Sequence, residues 1–217
     1  MRAAVPLSCL CVIALLIAGC SEDISSREGG YSVDESGRLE LHCPQCTVKE
    51  TLQERDGNVS IYRVVFESAG GDVYAIAAIP PVPKAGFVVA PGAGVKKEGY
   101  LPIARQYAEE GYAFLVLDVR GNGGETLGYP LDLERDFGKF RAGAWPQYYL
   151  SVCDMSSARK YLQEKHPIPV YAMGESNGGR YAAIAAETDP AFAGFIGIST
   201  SGFSRAGDAY PGDARRF

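Results

Sequence analysis

The residues best suited to chemistry are Gly174-Glu175-Ser176-Asn177-Gly178, spaced as G-x-S-x-G. A seryl hydroxyl can attack a carbonyl only if a turn lifts it clear of its surroundings. A sharp strand-to-helix bend does this, and glycines two residues to either side let neighbouring backbone close in without a Cβ in the way. Five residues of such common types are a weak signal alone. Here an apolar run at 170–173 comes before, and a segment with Ala182, Ala183, Ala185 and Ala186 comes after. Those are the strand and helix the bend requires. The competing reading is an ordinary glycine turn with a helix-capping serine, which leaves that context unexplained. Glu175 adjoins the serine, but the bend points it away from the hydroxyl, toward packing or hydrogen bonding beneath the turn.

Two further glycine-rich loops follow apolar runs. Pro91-Gly92-Ala93-Gly94 follows residues 86–90, and Asp118-Val119-Arg120-Gly121-Asn122-Gly123-Gly124 ends the run 113–119. Such runs, apolar at every position in 86–90 and 113–117, fit strands buried on both faces of a parallel sheet. Between them, Leu101, Ala104, Tyr107 and Ala108 lie on one stripe of a helix expected at about 97–110, stopped by Gly111. A second helix is expected at 147–165, where Tyr148, Val152, Met155 and Leu162 recur at helical spacing, and a fourth buried strand at 192–199. Upstream, 59–67 and 73–79 alternate around Gly70-Gly71 as a hairpin, ended by Pro80-Pro81-Val82-Pro83. The pattern predicts an α/β fold: an open, doubly wound, mostly parallel sheet preceded by an antiparallel hairpin. Ligands of such sheets bind beyond the carboxyl ends of the strands, where all three glycine-rich loops fall. Gly92-Ala93-Gly94 also suggests a dinucleotide site, but the third glycine of that fingerprint is replaced by Lys97.

With these three blocks, the chain resembles the α/β-hydrolases, nearest to the prolyl-oligopeptidase-like and dienelactone-hydrolase-like serine hydrolases, over about residues 59–205. The resemblance implies a serine hydrolase acting on small-molecule ester or peptide substrates with Ser176 as nucleophile, and no cofactor or metal. It places the oxyanion-binding N–H groups on Ala93 and Asn177. Pro91 stands where the family commonly has histidine, a departure that touches the loop's shape more than its backbone. Asp118 and Arg120 take a bracing role, and the 120–145 connection, with Tyr129, Phe137, Phe140 and Trp145, is placed to line a pocket or pack on the surface.

Serine needs a base, and the base an orienting acid; in this family they follow the serine in the order acid, then histidine. The two histidines are His42 and His166, and both precede Ser176. His166 falls at the amino end of the nucleophile strand, about 20 Å from its carboxyl end. Asp208 and Asp213 are weak candidates for the acid. The expectation is therefore an incomplete domain whose base and acid lie outside these 217 residues. The alternatives are a degenerate protein that folds poorly and a ligand-binding relative of the same fold that has lost catalysis.

The N-terminus reads as a targeting segment. Arg2 precedes an apolar run at 3–17, and Ile17-Ala18-Gly19-Cys20 precedes polar Ser21-Glu22-Asp23. That junction resembles the lipobox of prokaryotic lipoproteins, which implies lipidation of Cys20 and an extracytoplasmic domain tethered to a membrane. The expected organisation is signal peptide 1–20, tether and approach segment 21–46, with a flexible stretch at 21–38, and partial hydrolase domain 47–217. Cys43 and Cys46 form one CxxC; without a second pair it does not make a zinc site, and a local Cys43–Cys46 disulfide is expected. A net charge of −5 carries no basic footprint for nucleic acid. Nothing in the sequence specifies an oligomeric state.

Overall fold

A computed structural model describes residues 30–68 and 70–200. The expected signal segment with Cys20, the first part of the tether, and Asp208 and Asp213 lie outside them. Among the described residues no helix is long and apolar enough to cross a membrane.

The chain runs β1 (Gly30–Val33), β2 (Leu39–His42), β3 (Cys46–Asp56), β4 (Val59–Ser68), β5 (Val73–Ile79), β6 (Ala85–Ala90), a 3-10 turn (Lys97–Tyr100), α1 (Leu101–Glu109), β7 (Tyr112–Leu117), α2 (Leu133–Arg141), α3 (Gln147–Lys165), β8 (Val170–Glu175), α4 (Asn177–Thr188) and β9 (Gly194–Ile198). Seven strands form one sheet in the order β3-β4-β5-β7-β6-β8-β9. β4 and β6 to β9 point one way, and β3 and β5 oppose them. The expected hairpin is β4–β5, paired from Ser60↔Ile79 to Phe66↔Val73. This is the α/β-hydrolase fold.

Alternation along the central strands divides the interior in two. Val88, Ala90, Leu115 and Leu117 join Tyr148, Val152, Met155 and Leu162 of α3 and Tyr181, Ala182 and Ala185 of α4. Their neighbours Phe87, Val89, Phe114 and Val116 face Ala104 and Ala108 of α1. A sheet buried on both faces explains why these runs carry no polar residue.

The order of the strands locates a crevice. From β6 the chain leaves by α1 toward β7 on one side and on one face; from β8 it leaves by α4 toward β9 on the other side and on the other face. Connections that leave in opposite directions go to opposite faces, so a gap opens beyond the carboxyl ends of β6 and β8.

Three expectations are corrected. Residues 30–42, assigned to the tether and approach segment, instead form the antiparallel β1–β2 ribbon. The ring of Tyr31 stacks on Phe140 at 5.3 Å and its hydroxyl donates to the Phe140 carbonyl at 2.8 Å, so the ribbon is built onto the domain. The 120–145 connection contains α2, whose Asp132 carboxylate caps the Arg135 N–H at 2.9 Å. Finally, the disulfide is Cys43–Cys153, and Cys46 is free. Cys46 opens β3 opposite Ser68 and is held extended there, whereas Cys43, in the bend before it, faces α3.

A crosslink over 110 residues removes much conformational freedom from the unfolded chain. Cys153→Ala is expected to lower unfolding stability in urea by about 2–5 kcal/mol. A non-reducing peptide map should show Cys43 joined to Cys153 with Cys46 alkylated; a Cys43–Cys46 peptide in its place would refute the pairing.

Candidate active site

Ser176 stands at the junction of β8 and α4 with φ 52° and ψ −117°. A side chain in that conformation carries backbone strain, usually about 1–3 kcal/mol, and persists only where the surroundings enforce it. Here two glycines do so. A Cβ on Gly178 would fall 1.9 Å from the Ala90 carbonyl oxygen, and one on Gly174 would fall 2.2 Å from the Gly178 carbonyl oxygen. The end of β8 and the start of α4 are thus pressed against each other and against the end of β6. Ser176 is exposed as a result, while Gly174, Gly178 and Gly179 are buried. Its N–H donates to Ile198 at 2.9 Å, which ties the bend to β9 as well.

The 91–94 loop leaves β6 beside it, since Ala90 pairs with Gly174. A Cβ on Gly92 would lie 3.4 Å from Cβ of Ser176, so the loop and the serine are in contact. Val95 N–H closes a turn onto the Gly92 carbonyl at 3.1 Å. Ala93 and Gly94 form its exposed crest, Gly94 with φ +72°. Asn177 opens α4, so its N–H has no intrahelical acceptor. The structure therefore brings together Ser176, the Ala93 loop and Asn177 at the crevice between β6 and β8.

Spacing alone did not reveal three supporting contacts. Asn122 donates its side-chain amide to Gly92 at 2.9 Å and to Val95 at 3.1 Å, stapling the 91–94 loop to the 118–124 block. Asn122 was part of that block, but nothing in its spacing showed where the side chain would reach. Tyr100 donates its hydroxyl to Glu175, and burial together with that carboxylate holds the phenol well above its ordinary pKa. Glu175 thus braces the bend from behind. Tyr129 donates to Asp136, which also accepts Gln147 N–H at 2.8 Å and Tyr148 N–H at 3.1 Å. Burial and that carboxylate push the Tyr129 phenol up to about 12.

Asp118 and Arg120 are both buried and bonded within the fold. Arg120 grips Asp154 through two bonds, 2.7 and 2.9 Å, and the carbonyls of Gly70 and Gly71. Burial raises the Asp154 pKa against the pull of Arg120. Burial also opposes the charge on Asp118, but Lys97 and two backbone N–H groups outweigh it and hold its pKa below the ordinary value. His42 is exposed at the end of β2. His166 follows α3 at the amino edge of the sheet, beside Arg55, Pro80 and Lys165, a strand's length from Ser176. Neither joins the serine.

Residues 81–209 match the family described as serine aminopeptidase, S33. Similar solved structures include an acetyl xylan esterase from Paenibacillus sp. R4, with a TM-score of 0.55 and 24% identity over 68% of this chain and 51% of that one. A highly thermostable carboxyl esterase from Bacillus coagulans, in complex with glycerol, gives 0.54 and 25%, over 70% and 48%. A cold-adapted esterase from an Arctic intertidal metagenomic library gives 0.53 and 18%, over 68% and 65%. The chain thus spans about half to two thirds of the length of these structures. No curated protein matches it.

Gly178→Ala tests the close approach at the bend. Its methyl would meet backbone that cannot move aside, so the expected loss is about 3 kcal/mol or more in urea unfolding, or failure to fold. A change within about 0.5 kcal/mol would mean that β6 and α4 do not touch there.

Proposed function

The chain belongs to the serine aminopeptidase S33 family of hydrolases, and from that premise we propose that it is a serine acyl hydrolase whose nucleophile is Ser176. The observation that carries the proposal is the enforced conformation of Ser176, exposed at the crevice between β6 and β8. Strain of that kind is maintained where a side chain must be presented.

In this scheme the Ser176 hydroxyl adds to the carbonyl carbon of an ester. The negative charge that develops on the carbonyl oxygen is received by the N–H groups of Ala93 and Asn177. Fixed donors of that kind are each worth about 3–4 kcal/mol in acyl transfer. Collapse expels the alcohol and leaves an acyl-serine, which water hydrolyses. An ester is the better-supported substrate, because the Bacillus coagulans structure is a carboxyl esterase. A peptide amide is the second reading, favoured by the family's description. The proton of Ser176 needs a base that neither His42 nor His166 supplies.

Without that base, attack depends on the small fraction of serine already ionised, and the oxyanion donors alone still give some rate over water. A fluorophosphonate probe should therefore label Ser176 of the 217-residue chain slowly, with a rate that rises about tenfold per pH unit from 7 to 9. Turnover of a short-chain aryl ester should stay near the uncatalysed rate. No labelling at any pH, or equal labelling of Ser176→Ala, would favour the ligand-binding alternative. Robust ester turnover lost in Ser176→Ala would show that a base is present after all.

The same proposal places the domain outside the cytoplasm, anchored to a membrane through a lipidated Cys20. Its support is the Ala18-Gly19-Cys20 junction after the apolar run. Mass spectrometry of the N-terminus of protein made in a bacterial host should find Cys20 first and diacylglycerol-modified; an unmodified chain beginning at Met1 would end this part of the proposal.

A further inference from the structure

Lys97 has 2% of its side chain exposed, and the acyl-transfer scheme gives it no task. It follows directly on the loop that carries Ala93. Its backbone N–H donates to Oδ1 of Asp118 at 3.1 Å, and its Nζ lies 2.9 Å from Oδ2 of the same carboxylate. The ammonium also meets Glu98 at 2.7 Å and Glu125 at 2.8 Å. Glu125 is held in turn by Arg63 of β4 at 2.5 Å, and its N–H donates to Asp118 at 2.7 Å. Gly124 lets the block close this tightly, since a Cβ there would fall 2.1 Å from Oδ2 of Asp118.

Asp118 is fully buried, so its charge is tolerable only while these partners are in place. The 92–97 segment is thus fastened to the 118–125 block at both ends. Asn122 holds it at Gly92 and Val95, and Asp118 holds it at Lys97. Between these points lies the exposed crest, Ala93 and Gly94, with no other described residue bonded to the Ala93 N–H. Lys97 also balances charge. Without it, Arg63 on Glu125 is the one cation paired with Asp118, Glu98 or Glu125 among the described residues, which leaves two uncompensated negative charges beside the loop that carries Ala93.

We propose that Lys97 is a positioning residue, the buried anchor that fixes the loop carrying Ala93 against the Asp118–Glu125 block so that its N–H is held ready for the oxyanion. This rests on the reading of Ser176 as nucleophile and Ala93 as donor. Lysine suits the position because one flexible ammonium can bond three carboxylates at once, its neighbour Glu98 and two of the 118–125 block, where a shorter or apolar side chain would bond none.

The test combines hydrogen exchange with probe labelling of the full chain. Lys97→Met should speed exchange of the hydrogen-bonded amides of residues 95 and 97 by about tenfold or more, since loop opening no longer breaks the buried pair. It should cut the saturating rate of fluorophosphonate labelling at Ser176 by about tenfold, short of the full loss of an oxyanion donor, with half-saturation unchanged. Lys97→Arg, which keeps the charge, should recover part of both effects. Arg159→Ala, which breaks the Arg159–Asp189 pair on the far side of the fold, should lower thermal stability without either effect. If Lys97→Met leaves Asp118 unpaired and does not fold, the double variant with Asp118→Asn removes that charge and should still loosen the loop. Unchanged exchange at residues 95 and 97 in a folded variant, or a rise no larger there than elsewhere, overturns the proposal. So does labelling at the wild-type rate. If exchange rises as expected while wild-type Ser176 never labels, the anchor stands and the nucleophile reading falls.

Discussion

The structure depends on how closely two parallel strands end beside each other. Ala90 and Gly174 are partners across β6 and β8, and immediately beyond them the backbone of Gly178 comes so close to the Ala90 carbonyl that a methyl group would not fit. That approach makes the turn at Ser176 as tight as it is, and the tight turn exposes the hydroxyl. It also sets the distance between the serine and the next loop, because the 91–94 segment leaves from the same strand end. One steric restriction thus fixes the position of the nucleophile candidate and of the loop meant to serve it.

Around that point the polar residues are arranged to hold loops rather than to meet solvent. Asp118, Arg120, Asp136 and Asp154 are buried, and each is bonded to groups of other segments, Asp136 to those that flank α2 and the others to more distant ones. Breaking one partner of such a pair is costly, since it strands a charge away from water. The loops at the carboxyl edge therefore have defined shapes although they lack regular structure. Asn122 and Glu175 extend the arrangement with bonds to the 91–95 turn and to Tyr100.

Much of this was legible in the sequence where burial is complete. Strands β6 and β7, and β8 as far as Gly174, carry no charged residue on either face, and α3 was expected at 147–165, where it lies. The serine bend was legible because its glycines are required by sterics that act within a few residues. What escaped was structure determined by distant partners. The pairing of β3 is one case: it is an exposed edge strand with a polar sequence, Thr51-Leu52-Gln53-Glu54-Arg55, held by the edge that β4 offers it. The β1–β2 ribbon is polar and short, and its order comes from Tyr31 meeting Phe140, Trp145 and Tyr149 more than a hundred residues away. The small helix α2 did carry local signals, a capping Asp132, acids in its first turn and bases in its last, but its nine residues lie within a glycine-rich connection that masks them. The cysteine pairing could not be read at all, because the spacing of Cys43 and Cys46 says nothing of a third thiol on a helix.

That crosslink also defines a path for force. Tension on the chain ahead of β1 would pass along β1 and β2 to Cys43, and from there through the sulfur bridge into the middle of α3, which is packed under the central strands. The outer hairpins, β3 to β5, lie off this line and bear little of the pull. A protein held by its N-terminal segment would thus be gripped at its most deeply buried helix, with the edge of the sheet spared from unzipping.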